Sequence, residues 1–268
     1  MLPHWTKNDI VLGDGRFHYV RTGDGDKPPL VLLHGFSDNG LCWLPVARDL
    51  EAHYDIILPD ARGHGLSARV RPGEPIDGAA DVAGLIAALG LRRPVVGGHS
   101  MGGRAAAELG ARFPTLVSAL ILEDPAWGDP PSIDEPLPDN PLRAWLDEIG
   151  ALSVPELVAL GRARNPTWPE IEWPAWAESK LQVDRNIQTI GTNRKPWRDY
   201  VAALAVPTLL LTADPTRGAI VTPAMAEEAA SLTDVLQVAA VADAGHNIRR
   251  ENYPAYMRAV RAFLDQLR

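Results

Sequence analysis

The chain has 268 residues, 46% of them hydrophobic and 22% charged, which indicates a folded globular protein and excludes an intrinsically disordered one. Acidic residues outnumber basic ones by 34 to 26, and the net charge of −8 argues against nucleic-acid and anionic-membrane partners. Since the sequence lacks both an apolar run of membrane-spanning length and a signal-peptide pattern, a cytoplasmic location is expected.

The predicted elements begin with a β-hairpin, whose strands at 9–12 and 16–21 flank Gly13-Asp14-Gly15. Short apolar runs without alternation follow, as is typical of strands covered on both faces of a parallel sheet. These runs are 30–33, 55–58, 94–96, 119–122, 208–211 and 235–241. Helical patterns lie between and after them, at 44–51, 77–89, 101–113, 223–231 and 253–267. The alternation predicts βαβ units and a doubly wound, mostly parallel sheet of the α/β class.

The alternation breaks between residues 126 and 199, where tryptophans are concentrated. Six prolines between residues 125 and 141 predict a loop, and helical pieces follow before the strand at 208. We therefore expect a helical insertion at 126–199 between two sheet strands, and a main body made of residues 1–125 and 200–268.

The pentapeptide Gly98-His99-Ser100-Met101-Gly102 has the pattern Gly-x-Ser-x-Gly. An apolar strand leads into it and a helix rich in small residues leads out. A serine on such a tight strand-to-helix turn adopts strained backbone geometry, and its hydroxyl is held clear of the sheet. A phosphate-binding loop or a plain turn is the alternative, but this context favours Ser100 as a nucleophile.

With three further segments, the pentapeptide resembles the α/β-hydrolase family over nearly the whole chain. His34-Gly35-Phe36 looks like the family's oxyanion loop, and residues 60–67 look like its structural Asp-x-Arg-Gly-x-Gly-x-Ser turn. Gly245-His246, after the last strand, resembles the Gly-His that carries the catalytic base. The resemblance implies His246 as general base, the backbone N–H groups of Phe36 and Met101 as oxyanion hole, and the insertion as a cap.

The resemblance allows two positions for the acid of the triad. Asp214 follows the penultimate strand, where the family usually places the acid, and is preferred. Many relatives have this aspartate two residues before an Ile-Val-x-Pro-like stretch, but here Gly218 precedes Ile220 at that spacing. The alternative is Asp124, with Glu123 beside it, because some family branches place the acid after that earlier strand. Asp124-Pro125 also suits a plain strand-ending turn.

The implied activity is hydrolysis of a small-molecule carboxylic ester or lactone through an acyl-enzyme, without cofactor or metal. A serine nucleophile argues against the haloalkane dehalogenase and epoxide hydrolase branches, which use aspartate. A carbon–carbon bond hydrolase of the same fold and a ligand receptor with residual hydrolase activity are the alternatives.

The tryptophans of the insertion are either pocket walls for an apolar substrate or the core of a helical subdomain. The candidate pocket residues are His99, from the pentapeptide, and Trp127, Trp145, Trp168, Trp173 and Trp176. Arg249 and Arg250, just after His246, are expected to be helix-surface charges rather than substrate ligands.

Overall fold

The computed structural model describes residues 2–72, 74–128, 141–189 and 195–268. Within these ranges, eight strands form one sheet in the order β1-β2-β4-β3-β5-β6-β7-β8. They are β1 (Thr6–Leu12), β2 (Gly15–Arg21), β3 (Pro29–Leu33), β4 (Asp55–Pro59), β5 (Val95–His99), β6 (Ala119–Glu123), β7 (Thr208–Thr212) and β8 (Leu236–Ala240). β2 pairs antiparallel with β1 and β4, and the other neighbours are parallel. The expected mostly parallel α/β sheet is confirmed.

Helices follow the strands as the alternation predicted. They are α1 (Leu44–Leu50), α2 (Gly78–Ala88), α3 (Met101–Arg112), α4 (Pro141–Gly150), α5 (Val154–Arg164), α6 (Trp173–Leu181), α7 (Trp197–Ala202), α8 (Pro223–Leu232), α9 (Ile248–Glu251) and α10 (Tyr253–Gln266). None of the helices in the described part of the chain is both long and apolar enough to cross a bilayer.

The hydrophobic core lies on both faces of the sheet, because successive side chains of a strand point to opposite faces. Val96 and Leu120 pack in the cluster that contains α2, α3 and α8. Ile121 and Leu209 pack in the cluster that contains α1 and α10. Strands β4 to β7 are buried along their whole length, which explains why their sequences are continuous apolar runs.

Between β6 and β7 the chain forms α4, α5 and α6, which we call the helical insertion (residues 141–189). It has a small apolar core of its own, built around Leu146, Ile149 and Leu157. Helix α7 falls within the range expected for the insertion but packs against α3 and α8 of the body. Its Trp197 stacks on Trp127 with ring centroids 5.1 Å apart, within the body's core. Most of the predicted proline-rich loop, residues 129–140, lies outside the described residues.

Candidate active site

Ser100 occupies a strained turn between β5 and α3. Its backbone angles are φ 51° and ψ −113°, in a region that residues with side chains rarely adopt. A Cβ atom at Gly98 would come within 2.3 Å of the Gly102 carbonyl oxygen, and one at Gly102 within 2.3 Å of the Leu33 oxygen. Only glycine therefore fits on either side of Ser100, and the expected strand-turn-helix arrangement is present.

His246 lies beside this turn, in the loop between β8 and α9. The Glu251 carboxylate holds the loop by accepting hydrogen bonds from the backbone N–H groups of Gly245 (2.7 Å) and Asn247 (3.1 Å). His99, next to Ser100 in the chain, contacts the His246 carbonyl oxygen through Nε2 at 2.9 Å, and the two rings are 4.6 Å apart. Because a carbonyl oxygen only accepts, His99 Nε2 carries the proton.

Asp124 contacts the imidazole of His246. Its Oδ2 lies 2.6 Å from His246 Nδ1, and the aspartate is fully buried. The backbone N–H groups of Ile220 and Val221 donate to the same carboxylate at 2.8 to 3.1 Å. A carboxylate with these donors orients the ring so that Nδ1 donates and Nε2 is left to accept a proton.

Asp214 is not brought to His246, which corrects the preferred placement of the acid. Its Oδ1 accepts hydrogen bonds from the backbone N–H and the hydroxyl of Thr216, both at 2.8 Å. These hydrogen bonds lower the pKa of the Asp214 carboxyl. Asp214 thus caps the short 3-10 turn Pro215–Arg217, because an aspartate at a strand end readily bonds to the backbone two residues later.

The sequence contained a signal for the other position. Gly218 stands where many relatives have the acid before the Ile-Val-x-Pro-like stretch. The structure shows that the N–H groups of that stretch, on Ile220 and Val221, are directed at Asp124 from the neighbouring strand end. The absence of an acid at Gly218 and the presence of Asp124 after β6 therefore have one explanation. The N–H groups of Ile220 and Val221 bind a carboxylate that follows β6 instead of one from their own loop.

The loop after β3 brings Gly35 against the Ser100 turn. A Cβ atom at Gly35 would lie 2.5 Å from His99 Nδ1 and 3.5 Å from Ser100 Cβ. The next residue, Phe36, packs its ring against Trp145 of the insertion, with centroids 6.4 Å apart. Met101 is the first residue of α3, where backbone N–H groups have no partner within the helix. Of the two residues predicted for the oxyanion hole, Met101 thus follows Ser100 directly, and Phe36 follows Gly35, which lies against the Ser100 turn.

Three buried histidines surround these loops and stay neutral. Burial lowers the pKa of His34, that of His99 falls well below the usual value, and that of His64 falls to about 3. His34 Nε2 accepts from the Ala61 N–H at 2.9 Å, so its Nδ1 carries the proton and donates to the Gly35 carbonyl. His64 packs edge-on against Phe36 at 5.8 Å. These rings fill space beneath the loop rather than exchange protons.

The tryptophans predicted as pocket walls are mostly packed in interiors. Trp168 stacks on Trp173 at 5.4 Å, and Trp176 meets both edge-on. Trp127 belongs to the body's core. Among the predicted wall residues, Trp145 contacts the Phe36 ring and His99 contacts His246.

Arg249 and Arg250 were expected on the surface, and that expectation is wrong. Their exposed fractions are 1% and 2%. Arg249 pairs with Glu123 at 3.0 Å, and Arg250 pairs with Glu172 of the insertion at 3.0 Å. Sequence position beside His246 suggested a helix surface, but the insertion covers this helix.

Comparison with known proteins agrees with this geometry. The model of the "Alpha/beta hydrolase family" matches residues 30–260. The chain is 29% identical over 263 residues to the N-formylmaleamate deformylase of Pseudomonas putida, an alignment that covers 93% of each protein.

Two solved structures are similar in fold. An E-2-(acetamidomethylene)succinate hydrolase has a TM-score of 0.75 at 21% identity, covering 98% of this chain and 100% of that one. The enol-lactonase of Burkholderia xenovorans has a TM-score of 0.72 at 22% identity, covering 96% of this chain and 100% of that one. The family match spans most of both the body and the insertion, and the chain belongs to the alpha/beta hydrolase family.

Proposed function

We propose that the protein is a serine hydrolase in which Ser100, His246 and Asp124 form the catalytic triad. The observation that carries this proposal is the 2.6 Å contact between His246 Nδ1 and the buried Asp124 carboxylate, beside the strained turn of Ser100. The three groups come from the ends of β5 and β6 and from the loop after β8. Their order in the chain is Ser, Asp, His, as in the family's triads.

The reaction proceeds by acyl transfer. Because Nδ1 donates to Asp124, His246 Nε2 takes the Ser100 proton as the hydroxyl oxygen attacks the substrate carbonyl carbon. Asp124 stabilises the imidazolium that forms. The N–H groups of Phe36 and Met101 bind the developing oxyanion, and the position of Met101 at the start of α3 adds the favourable end of the helix dipole. His246 then protonates the leaving group and activates the water that hydrolyses the acyl-enzyme.

The substrate class that we propose is a small carboxylic ester or lactone. The enol-lactonase similarity supports this class at the level of fold. The N-formylmaleamate deformylase, which aligns over 93% of both proteins, favours a second candidate, an N-acyl amide. Both candidates use the same triad and the same acyl-enzyme, and they differ in whether the leaving group is an alcohol or an amine. We place the enzyme in the cytoplasm.

The test is pre-steady-state release of p-nitrophenol from p-nitrophenyl acetate by the wild-type chain, Ser100→Ala and the control Ser231→Ala. Ser231 is exposed and donates only to the Glu228 carbonyl among its described contacts. We expect a burst and an acetylated Ser100 peptide in mass spectra of the wild type and Ser231→Ala, and neither in Ser100→Ala. A burst that survives in Ser100→Ala would overturn the proposal.

The substrate class is decided by steady-state turnover of four compounds of matched size: an ester, a lactone, an N-formyl amide and a dienone acid. Faster turnover of the ester or lactone supports the first candidate, and faster turnover of the amide supports the second. Selective cleavage of the dienone acid would instead assign carbon–carbon bond hydrolysis. Ligand-induced thermal stabilisation without turnover of any compound would indicate a receptor.

A further inference from the structure

Six buried charges lie where the helical insertion meets the body. We call them the buried ion cluster; each is at most 4% exposed. Its cations are Lys180, Arg249 and Arg250, and its anions are Asp38, Glu123 and Glu172. Equal numbers of opposite charges compensate one another, as burial requires.

Two ion pairs of the cluster cross the interface. Lys180 of α6 donates to Asp38 of the body at 2.8 Å, and Glu172, just before α6, accepts from Arg250 of the body at 3.0 Å. Asp38 also accepts from Arg250 at 2.9 Å, which joins the two pairs into one chain of alternating charge. Helix α6 is therefore fixed to the body at both of its ends.

Lys180 does more than neutralise Asp38. Its ammonium group donates to the carbonyl oxygen of Ser37 and to the Ser37 hydroxyl, both at 3.0 Å. Ser37 directly follows Phe36 and has φ 65°, a left-handed conformation that is unfavourable for serine. Asp38 already has two arginines near it, so the bonds to Ser37 are the contacts that Lys180 adds.

We propose that Lys180 is a positioning residue, which holds the Ser37 backbone and thereby the Phe36 N–H group in place opposite Ser100. The insertion then completes the oxyanion hole from outside the body. This inference rests on the proposed serine hydrolase function, because the oxyanion hole acts only in that reaction. Displacing an aligned group by about 1 Å costs on the order of 100-fold in rate.

The experiment compares three variants. Lys180→Met removes the hydrogen bonds to Ser37. Because that change leaves the cluster with one excess negative charge, Lys180→Met/Glu172→Gln restores the balance and leaves the pairs Asp38–Arg250 and Glu123–Arg249. The control Arg162→Met removes a cation of the insertion that is exposed and paired with the exposed Glu170.

We expect kcat for p-nitrophenyl acetate to fall about 10- to 100-fold in both Lys180 variants, with KM little changed, and to stay at the wild-type level in Arg162→Met. Backbone amide hydrogen exchange at residues 34–39 should accelerate in the charge-balanced double variant although its melting temperature is close to that of the wild type. A double variant with wild-type kcat and wild-type exchange would overturn the inference.

The two proposals fail in different ways. If the wild type forms no acyl-enzyme at Ser100, the proposed function fails, and exchange at residues 34–39 still decides whether Lys180 holds the loop. If the wild type forms the acyl-enzyme and the Lys180 variants match it in kcat and exchange, only the positioning role fails.

Discussion

The strand ends around Ser100 and the interface around Lys180 are both buried and polar, but different forces shape them. At the strand ends, backbone groups approach so closely that Gly98 and Gly102 have no room for a side chain, and backbone N–H groups hold Asp124. At the interface, long charged side chains of the insertion and the body pair with one another, as Lys180 does with Asp38. Close backbone packing therefore determines the structure of the strand ends, and compensation of buried charges determines the structure of the interface.

The largest expected effect at the strand ends concerns Asp124, the carboxylate that contacts His246. Asp124→Asn should lower kcat by about 10⁴-fold, because an amide cannot stabilise the imidazolium and allows the wrong ring tautomer. Asp214→Asn, a matched change at the next strand end, should leave kcat near the wild-type level, since Asp214 only caps a turn. Steady-state kinetics of both folded variants is the measurement. The reverse order of effects would restore Asp214 as the acid.

In the buried ion cluster, the largest expected effect is on stability. Arg249→Met removes the cation that pairs with the buried Glu123, which keeps only the backbone N–H of residue 249 from this pair, and should lower the free energy of unfolding by about 3 to 5 kcal/mol. Arg261→Met, which breaks the exposed pair with Asp49, should change it by less than about 1 kcal/mol. Urea unfolding of both variants gives the comparison. Similar small losses in both would mean that charge balance does not stabilise the buried ion cluster.

Steric fit at the strand ends predicts the next effect. Gly102→Ala places a Cβ atom 2.3 Å from the Leu33 oxygen and should destabilise the fold by about 3 kcal/mol. Gly128→Ala is the control, because a Cβ atom there meets none of the described residues within 4 Å. Thermal unfolding distinguishes the two. An unchanged melting temperature for Gly102→Ala would show that the strand and the helix have room to separate.

The smallest expected effect is the pH dependence of stability. The folded state keeps His64 neutral down to pH about 3, whereas its ordinary pKa is 6.5, so the unfolded state gains a proton first as the pH falls. Stability is therefore lost as the pH falls below 6.5, and the contribution of His64 between pH 7 and 5 is about 2 kcal/mol. His64→Gln should lose about that much less than the wild type over this range. Urea unfolding at both pH values measures the difference, and equal losses in the two proteins would contradict it.

The turn that carries Ser100 could be predicted because the residues that form it are consecutive in the sequence. The Gly-x-Ser-x-Gly pentapeptide, its strand and its helix all lie within residues 94–113, and the apolar runs marked the ends of the central strands to within three residues. The strand pattern does not separate Asp124 from Asp214, since both follow buried strands. Gly218, which stands where many relatives have the acid, was a signal against the later position. The direction of the Ile220 and Val221 N–H groups toward Asp124 is defined only in the folded protein.

The interface could not be predicted from local pattern. Arg249 and Arg250 look like surface charges on a short helix, and their partners Glu123 and Glu172 lie 126 and 78 positions away. The concentration of tryptophans left pocket walls and a subdomain core as alternatives, and in the structure Trp168 and Trp176 lie under the cations Arg250 and Lys180 at 4.7 and 5.0 Å. The face of a tryptophan ring binds either a cation or an apolar substrate. The number of tryptophans in a segment therefore does not show which of the two their rings contact.

The stacked rings of Trp127 and Trp197 define the two points at which the chain leaves and re-enters the body. Since both are anchored in the body's core, the intervening segment closes a loop whose end-to-end distance is already set. The entropy of closing such a loop rises only slowly with its length. A longer or shorter segment between these two tryptophans should therefore cost little in chain entropy, and a chimeric enzyme joined at this pair should fold if its segment keeps Lys180 and Glu172 for Asp38 and Arg250 of the body.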